Sequence, residues 1–104
     1  MLDELLILKK IKEGDIKAFE ELFRRYYFPL CCYAAGITGQ MAVAEEIVEE
    51  LFYVLWKERV RLQIFQSVKS YLYRATRNQS LQYCEHEEVR NRYREAVLNT
   101  SNPE

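Results

Sequence analysis

The sequence has little of what turn-rich folds, disulfide scaffolds and membrane spans require. Only 3 Gly and 2 Pro occur among 104 residues, which disfavours a fold with many strands and hairpins. The 3 Cys lack the spacing of a metal site and the even number of a disulfide framework, so we expect small packing residues in a reducing compartment. No stretch approaches the roughly 18 apolar residues of a membrane span. We therefore expect a cytoplasmic protein without a secretory signal.

Groups that would converge in a catalytic site are also scarce. His86 is the only histidine and stands in the acidic stretch 85–88, so nucleophilic catalysis could draw on one base at most. The glycines are scattered and form no phosphate-binding loop. Glu46 and Glu50 have a spacing found in di-metal bundles, but the accompanying Glu-x-x-His motif is missing. We expect no enzyme activity, no cofactor and no metal site, with His86 on the surface.

Hydrophobic periodicity predicts an all-α domain, a small bundle of about four helices over residues 1–98, with a frayed end at 99–104. The first helix ends at Gly14, and Asp15 is suited to cap the second. Pro29 predicts a kink or a restart of the second helix. The apolar stripe predicted for that helix comprises Ile16, Phe19, Phe23, Tyr26, Leu30, Tyr33 and Ile37.

The third predicted helix, over residues 40–57, has two distinct faces at 100° per residue. We expect its apolar arc to be core and its acidic arc to be free. In the connection 58–66 we expect Phe65 to cover the core, and Ser67 is suited to cap a fourth helix that reaches Tyr83 or beyond. The apolar arc comprises Ala44, Ile47, Val48, Leu51, Val54 and Leu55, and the opposite arc comprises Glu46, Glu49, Glu50 and Tyr53.

Charge is segregated along the chain although the formal net charge is only -1. Residues 41–56 carry four acidic side chains and no basic one, whereas 57–83 carry six basic side chains and one acidic. The segment 67–83 also holds tyrosines and amides, which suit phosphates, unpaired bases and base edges of melted nucleic acid. A second interpretation accounts for the same composition: ordinary solvated helix faces, with Tyr71 and Leu72 in the core. Composition does not choose between a nucleic-acid-binding surface and such faces.

Three blocks of the sequence resemble, in order and spacing, region 2 of the extracytoplasmic-function sigma factors of bacterial RNA polymerase. The first is KEGDIKAFEELFRRYY from Lys12 to Tyr27, followed by Pro-Leu at 29–30. The second is AEEIVEELF at 44–52 with Leu-Trp at 55–56. The third is SYLY at 70–73 with Arg-Asn at 77–78 and a leucine at 81. Together they cover roughly residues 10–84.

The resemblance implies a helical bundle that takes part in transcription initiation and catalyses nothing itself. It implies that the free face of the third helix docks on the clamp coiled coil of the largest subunit of core RNA polymerase, through Glu46, Glu49, Glu50 and Tyr53. It also implies that the next loop and helix hold open the non-template strand of the minus-ten promoter element. An anti-sigma factor is a further candidate partner. The matching DNA-binding positions are Arg61, Gln63, Lys69, Tyr73, Arg74, Arg77 and Asn78.

Three positions depart from the pattern of the family. Glu49 stands where Gln is usual, Gln79 stands where many members have an apolar residue, and the acidic stretch 85–88 stands where the family commonly turns basic. We expect no room for the helix-turn-helix domain that reads the minus-thirty-five element, so an excised region 2 and a natural single-domain relative both fit. The alternative function is a divergent helical protein-interaction module of the same fold without promoter recognition.

Overall fold

The computed structural model describes residues 4–64 and 67–100, and every regular element in those ranges is an α-helix. The helices are α1 (Glu4–Lys12), α2 (Ile16–Thr38), α3 (Met41–Lys57) and α4 (Val68–Thr100). Helix α2 is central, because it packs against each of the other three. The predicted all-α bundle of four helices is confirmed. Phe65 lies outside the described residues, as do residues 101–104 of the predicted frayed end, whereas 99–100 belong to α4.

The helix ends follow the local chemistry of the sequence. Asp15 caps α2, since its Oδ1 accepts hydrogen bonds from the backbone N–H groups of Lys17 at 3.0 Å and Ala18 at 3.3 Å. Gly39 ends α2 with φ of 79°, a left-handed conformation that favours glycine. Ser67 Oγ accepts the backbone N–H of Ser70 at 2.9 Å and caps α4. The predicted caps at Asp15 and Ser67 are confirmed.

Helix α2 does not restart at its proline, contrary to one of the two alternatives that the sequence suggested. Pro29 lies inside a continuous helix of 23 residues, and it is exposed. Proline removes the hydrogen bond that its own N–H would donate to the carbonyl four residues earlier, that of Arg25. The contacts of α2 with three neighbouring helices hold the helix together across that missing bond.

The face that α2 buries differs from the predicted stripe. Ile16 and Tyr33 are exposed, and Phe19 and Phe23 are half-buried with their rings against Phe52, at centroid distances of 6.1 and 5.0 Å. Leu22, Leu30 and Ala34 are fully buried, because three helices enclose α2. The buried residues of α2 are Ala18, Leu22, Tyr26, Leu30, Cys31 and Ala34.

Helix α3 contributes a narrower core face than its apolar arc suggested. Its buried residues are Ala44, Val48, Phe52 and Leu55. The remaining apolar residues of the arc lie to one side of these: Ile47 and Leu51 are half-buried and Val54 is 43% exposed. The prediction that the whole arc is core is therefore wrong for Val54, because no described helix packs over that flank.

Helix α1 packs on the bundle through the buried Ile7, Leu8 and Ile11, and one carboxylate adds polar contacts to α2. Glu4 Oε2 accepts hydrogen bonds from Tyr26 Oη at 2.6 Å and from Arg25 Nη1 at 3.0 Å. Burial, together with the bond to Glu4, raises the pKa of Tyr26 to about 12, because both favour the neutral phenol. The contact joins residues 22 positions apart and adds to the apolar packing of α1 on the bundle.

The three cysteines occupy three different environments. Cys31 is buried in the core, Cys32 is exposed, and Cys84 is half-buried with its thiol 3.5 Å from the carbonyl oxygen of Ile37. None forms a disulfide within the described part of the chain. The expectation of small packing residues holds for Cys31 and is wrong for Cys32, which faces solvent.

No helix in the described ranges combines the length and the apolar character that crossing a bilayer requires. Helix α4 has 33 residues, about 50 Å of helix, and nearly all of its residues after Cys84 are exposed. Its buried residues, Val68, Leu72, Thr76 and Ser80, all lie in the first half. The second half therefore projects beyond the bundle.

Candidate functional site

The acidic side chains predicted to be free form an exposed ridge along α3. Glu46, Glu49, Glu50 and Tyr53 all lie on the surface, opposite the buried Val48 and Leu55. We call these four residues the acidic ridge. At 100° per residue they span an arc of about 100°, so one flat partner surface could contact all of them. The ridge is bordered by α2 on one side and by α4 on the other.

The α2 border of the acidic ridge is fixed by a hydrogen bond. Tyr27 Oη donates to Glu49 Oε2 at 3.0 Å. Burial, and next the bond to Glu49, raise the pKa of Tyr27, because ionisation would place two negative oxygens in contact. At the C-terminal end of the ridge, Lys57 Nζ lies 6.0 Å from the centre of the Tyr53 ring, at the limit of a cation–π contact.

The α4 border of the acidic ridge is a groove of about 610 Å³, which we call the α3–α4 groove. Glu46 and Glu50 stand on its α3 edge, and Asn78 stands on its α4 edge. Two of the predicted polymerase-binding residues and one of the predicted DNA-binding residues are therefore brought to a single depression. The full lining comprises Glu46, Ile47, Glu50, Leu51, Val54, Tyr71, Ala75, Asn78, Gln79 and Gln82.

The basic side chains of α4 do not line the α3–α4 groove. Lys69, Arg74 and Arg77 are exposed, and none has an ion-pair partner within residues 4–64 and 67–100. At 100° per residue, Arg77 lies about 80° around the helix axis from Lys69, and Arg74 lies about 60° beyond Arg77, so the three residues span an arc of about 140°. We call these three residues the basic face. Its cations are available to phosphate groups of a nucleic acid.

The Tyr73 ring is less accessible to an unpaired base than the sequence suggested. Its ring packs edge-on against Tyr33 of α2, with 5.1 Å between the ring centroids, and the residue is half-buried. One part of the ring is therefore committed to the contact between α2 and α4. The other part remains beside the basic face, where an unpaired base could stack.

The predicted DNA-binding residues in the connection after α3 are both exposed. Arg61 has a side chain 87% exposed and lies 3.9 Å from Glu58, a distance at which a surface ion pair contributes little. Gln63 is also exposed. Both therefore lie on the surface in the chain segment that leads toward the basic face.

Arg59 is a residue whose role the sequence did not indicate. Its guanidinium lies 4.2 Å from the centre of the Trp56 ring, and its Nη1 donates to the carbonyl oxygen of Trp56 at 2.9 Å. Trp56 in turn packs on Phe19, at 5.0 Å. These contacts join the start of the connection that carries Arg61 and Gln63 to the end of α3. In the sequence, the only signal for the contact between Arg59 and Trp56 is an arginine three residues after a tryptophan.

No group of three or more His, Cys, Asp or Glu side chains in the described residues is placed to hold a metal ion. His86 is exposed, as expected. The arrangement offers surfaces for binding instead: an acidic ridge, an adjoining groove and a basic face, carried on consecutive helices. It defines a helical module with two differently charged faces.

A comparison with known protein families shows to which family this helical module belongs. The family model of Sigma-70 region 2 matches residues 22–89, and the chain belongs to this family of transcription initiation factors, which are not enzymes. The match includes the acidic ridge and the basic face. No match was found among the curated proteins or among the solved structures.

Proposed function

We propose that this chain is region 2 of an extracytoplasmic-function sigma factor, which binds core RNA polymerase and the melted minus-ten promoter element. The observation that carries the proposal is the placement of the acidic ridge and the basic face on consecutive helices of one bundle. One surface serves a protein partner and the other a nucleic acid. The family match to residues 22–89 supports both roles in general terms.

In this proposal the acidic ridge docks on the clamp coiled coil of the largest polymerase subunit. Glu46 and Glu50 have no ion-pair partner in the described residues, so their charge is directed to solvent and to a basic partner. Exposed charges of this kind accelerate association and select partners more than they add affinity. Tyr53, 59% exposed, supplies the aromatic contact that interfaces favour.

The basic face then holds the non-template strand in its unpaired form. Lys69, Arg74 and Arg77 neutralise phosphates, while Tyr73, Asn78, Arg61 and Gln63 contact bases. Opening the duplex costs a few kcal/mol for each unstacked step, and stacking and phosphate contacts to the single strand offset this cost.

The polymerase half is tested by titrating the chain with the clamp coiled-coil fragment. The test variant carries Glu46→Lys, Glu49→Lys and Glu50→Lys. A matched control carries the same charge change at Glu13, Glu88 and Glu95, which are exposed and lie after α1 and on the projecting half of α4. We expect saturable binding that the test variant loses and the control keeps. Equal binding by both variants, or none by the wild-type chain, refutes the docking role.

The DNA half is tested with a pool of single-stranded oligonucleotides that share a randomised core. The chain is bound to core polymerase, and the retained strands are sequenced. Enrichment of one motif, lost when Lys69, Arg74 and Arg77 are replaced by Gln, supports promoter recognition. Retention without a motif favours the alternative function, a protein-interaction module of the same fold. The exposed Glu85 and Glu88, which follow the basic face, are the observation behind that alternative.

A further inference from the structure

The projecting half of α4, residues 85–100, carries an apolar stripe that no described element covers. Val89 is 60% exposed, Tyr93 is 72% exposed and Val97 is 43% exposed, and Ala96 is exposed as well. At 100° per residue these four side chains lie within an arc of about 100°. We call them the α4 stripe. A helix gains most of its stability from the packing of such a face, so the α4 stripe is suited to a partner.

The spacing of the α4 stripe is that of a two-stranded coiled coil. Tyr93 follows Val89 by four residues, and Ala96 follows Tyr93 by three, which are the alternating steps of a heptad seam. In heptad notation Val89 and Ala96 take the d position and Tyr93 takes the a position. Helices with this repeat pack lengthwise on one another, so the shape that fits the α4 stripe is a second helix.

The two flanks of the α4 stripe carry opposite charge. One flank has three carboxylates and one guanidinium, and the other has two guanidinium groups and one carboxylate. When two copies of the helix run in the same direction, the acidic flank of each faces the basic flank of the other. In opposite directions, like flanks would meet. The acidic flank comprises Glu85, Glu88, Arg92 and Glu95, and the basic flank comprises Glu87, Arg90 and Arg94.

One pair of charges has the register that a parallel coiled coil requires. Glu85 takes the g position and Arg90 takes the next e position, and these positions meet between the two chains of such a coil. Glu85 has no ion-pair partner within residues 4–64 and 67–100. Arg90 has a partner three residues earlier on its own helix, Glu87 at 3.2 Å, and a surface pair of this kind contributes little. Two copies therefore complement each other in charge as well as in apolar surface.

The bundle lies on the opposite side of α4 from the α4 stripe. Ser80 is buried, and the Cys84 thiol lies 3.5 Å from the carbonyl oxygen of Ile37 in α2, so these two residues mark the side of α4 that faces the bundle. Val89 and Tyr93 each follow one of them by nine residues, a rotation of about 180°. Two copies that meet through their α4 stripes therefore carry their bundles on the outside.

We propose that two copies of this chain associate through the projecting halves of α4 as a short parallel coiled coil. Val89, Tyr93 and Ala96 form its seam, and Glu85 of each copy pairs with Arg90 of the other. The seam extends over roughly two heptads, so the dimer dissociates on dilution. The proposal does not depend on the proposed function, because the α4 stripe shares no residue with the acidic ridge or the basic face.

The first test is sedimentation equilibrium of the full chain over a series of concentrations, with a matched pair of variants. Val89→Lys places a charge in the seam, and Val60→Lys makes the same change in the connection after α3, where Val60 is 74% exposed. We expect Val89→Lys to weaken dimerisation about tenfold or more, because two ammonium groups would meet in an apolar contact. Val60→Lys should dimerise as the wild-type chain does. Lysine is a better helix former than valine, so circular dichroism should show that α4 is retained.

The second test determines the direction of the two helices. Glu85→Arg and Arg90→Glu each place like charges at the g and e positions of a parallel dimer, and each should weaken dimerisation. The double variant exchanges the two charges and restores both pairs, so it should dimerise about as the wild-type chain does. Helices in opposite directions would not recover in this way, because their g and e positions do not meet.

Four results would overturn the proposal. The first is a wild-type chain that stays monomeric at every concentration, and the second is equal dimerisation of Val89→Lys and Val60→Lys. The third is a double variant that dimerises no better than its two single variants. The fourth is dimerisation that Val54→Lys abolishes and Val89→Lys does not, since the second copy would then lie in the α3–α4 groove.

Discussion

Tyr27 of α2 donates a hydrogen bond from its hydroxyl to Glu49 Oε2 of α3, with 3.0 Å between the two oxygens. The Tyr27 ring stacks on Phe23 at 4.7 Å, and Phe23 packs on the buried Phe52 at 5.0 Å. Glu49 is thus held by contacts that begin in the core. Glutamine, which the resemblance to the extracytoplasmic-function sigma factors leads us to expect at this position, offers a carbonyl oxygen that accepts the same hydrogen bond. The fold therefore accommodates either residue.

Alkaline pH should destabilise the fold. The pKa of Tyr26 is raised to about 12, and burial raises the pKa of the Cys31 thiol. Because these groups hold their protons more tightly in the folded chain, their stabilisation is complete below the unfolded pKa values and is lost as the pH rises. We predict a free energy of unfolding that falls from about pH 9 upward, measured by urea denaturation.

The variant Tyr26→Phe checks this origin of the pH dependence. It removes the ionisable hydroxyl and with it the bond to Glu4. The variant should be less stable than the wild-type chain near neutral pH and should lose less stability between neutral and alkaline pH. If the variant loses as much stability between neutral and alkaline pH as the wild-type chain does, groups other than Tyr26 cause the pH dependence.

Removing the cap of α2 should cost measurable stability. Asp15→Ala eliminates the carboxylate that accepts the N–H groups of Lys17 and Ala18, and the expected loss is about 1 kcal/mol. Asp15→Asn keeps a side-chain oxygen in the same place and should lose much less. Equal losses in the two variants, by chemical denaturation, would show that the charge of Asp15 at the start of the helix, rather than its accepted hydrogen bonds, supplies the stabilisation.

A buried hydroxyl on α4 should be replaceable with a gain in stability. Thr76 is fully buried, and its Oγ1 has no hydrogen-bond partner among the described residues. Thr76→Val removes the cost of burying that group and should raise the free energy of unfolding by about 1 kcal/mol. Thr38→Val is the control, because Thr38 Oγ1 donates to the carbonyl oxygen of Ala34 at 3.0 Å. A gain in the control as large as in Thr76→Val would contradict this account.

The basic face should determine how strongly salt weakens binding to single-stranded DNA. Each phosphate contact adds about 0.7 to the slope of log affinity against log salt concentration. Arg74→Gln and Arg77→Gln should each reduce that slope by about this amount. Arg92→Gln should leave it unchanged, because Arg92 is paired with Glu88 at 2.6 Å on the projecting half of α4. A slope that responds equally to all three substitutions would show that no defined face binds the DNA.

Local signals predicted the helices and their caps well. Asp15 and Ser67 act within a few residues of themselves, so their effect can be recognised in the sequence. The free acidic face of α3 was equally predictable, because three glutamates on one side of a helix cannot be buried without partners. The residues that α2 buries could not be predicted from its apolar stripe. Three helices enclose α2, and their positions decide that Ala18 and Ala34 are covered while Tyr33 is not.

The sequence by itself determined the helices, the segregation of charge and the resemblance to the family, since each depends on residue order and short-range periodicity. Only the tertiary structure decided that Val54 lines an open groove, that Tyr73 packs on Tyr33, and that Glu49 is bonded to Tyr27. These contacts join different helices. They depend on how far apart the helix axes lie and how the helices are rotated about them, which follows from the packing of the whole core rather than from the pattern of any one segment.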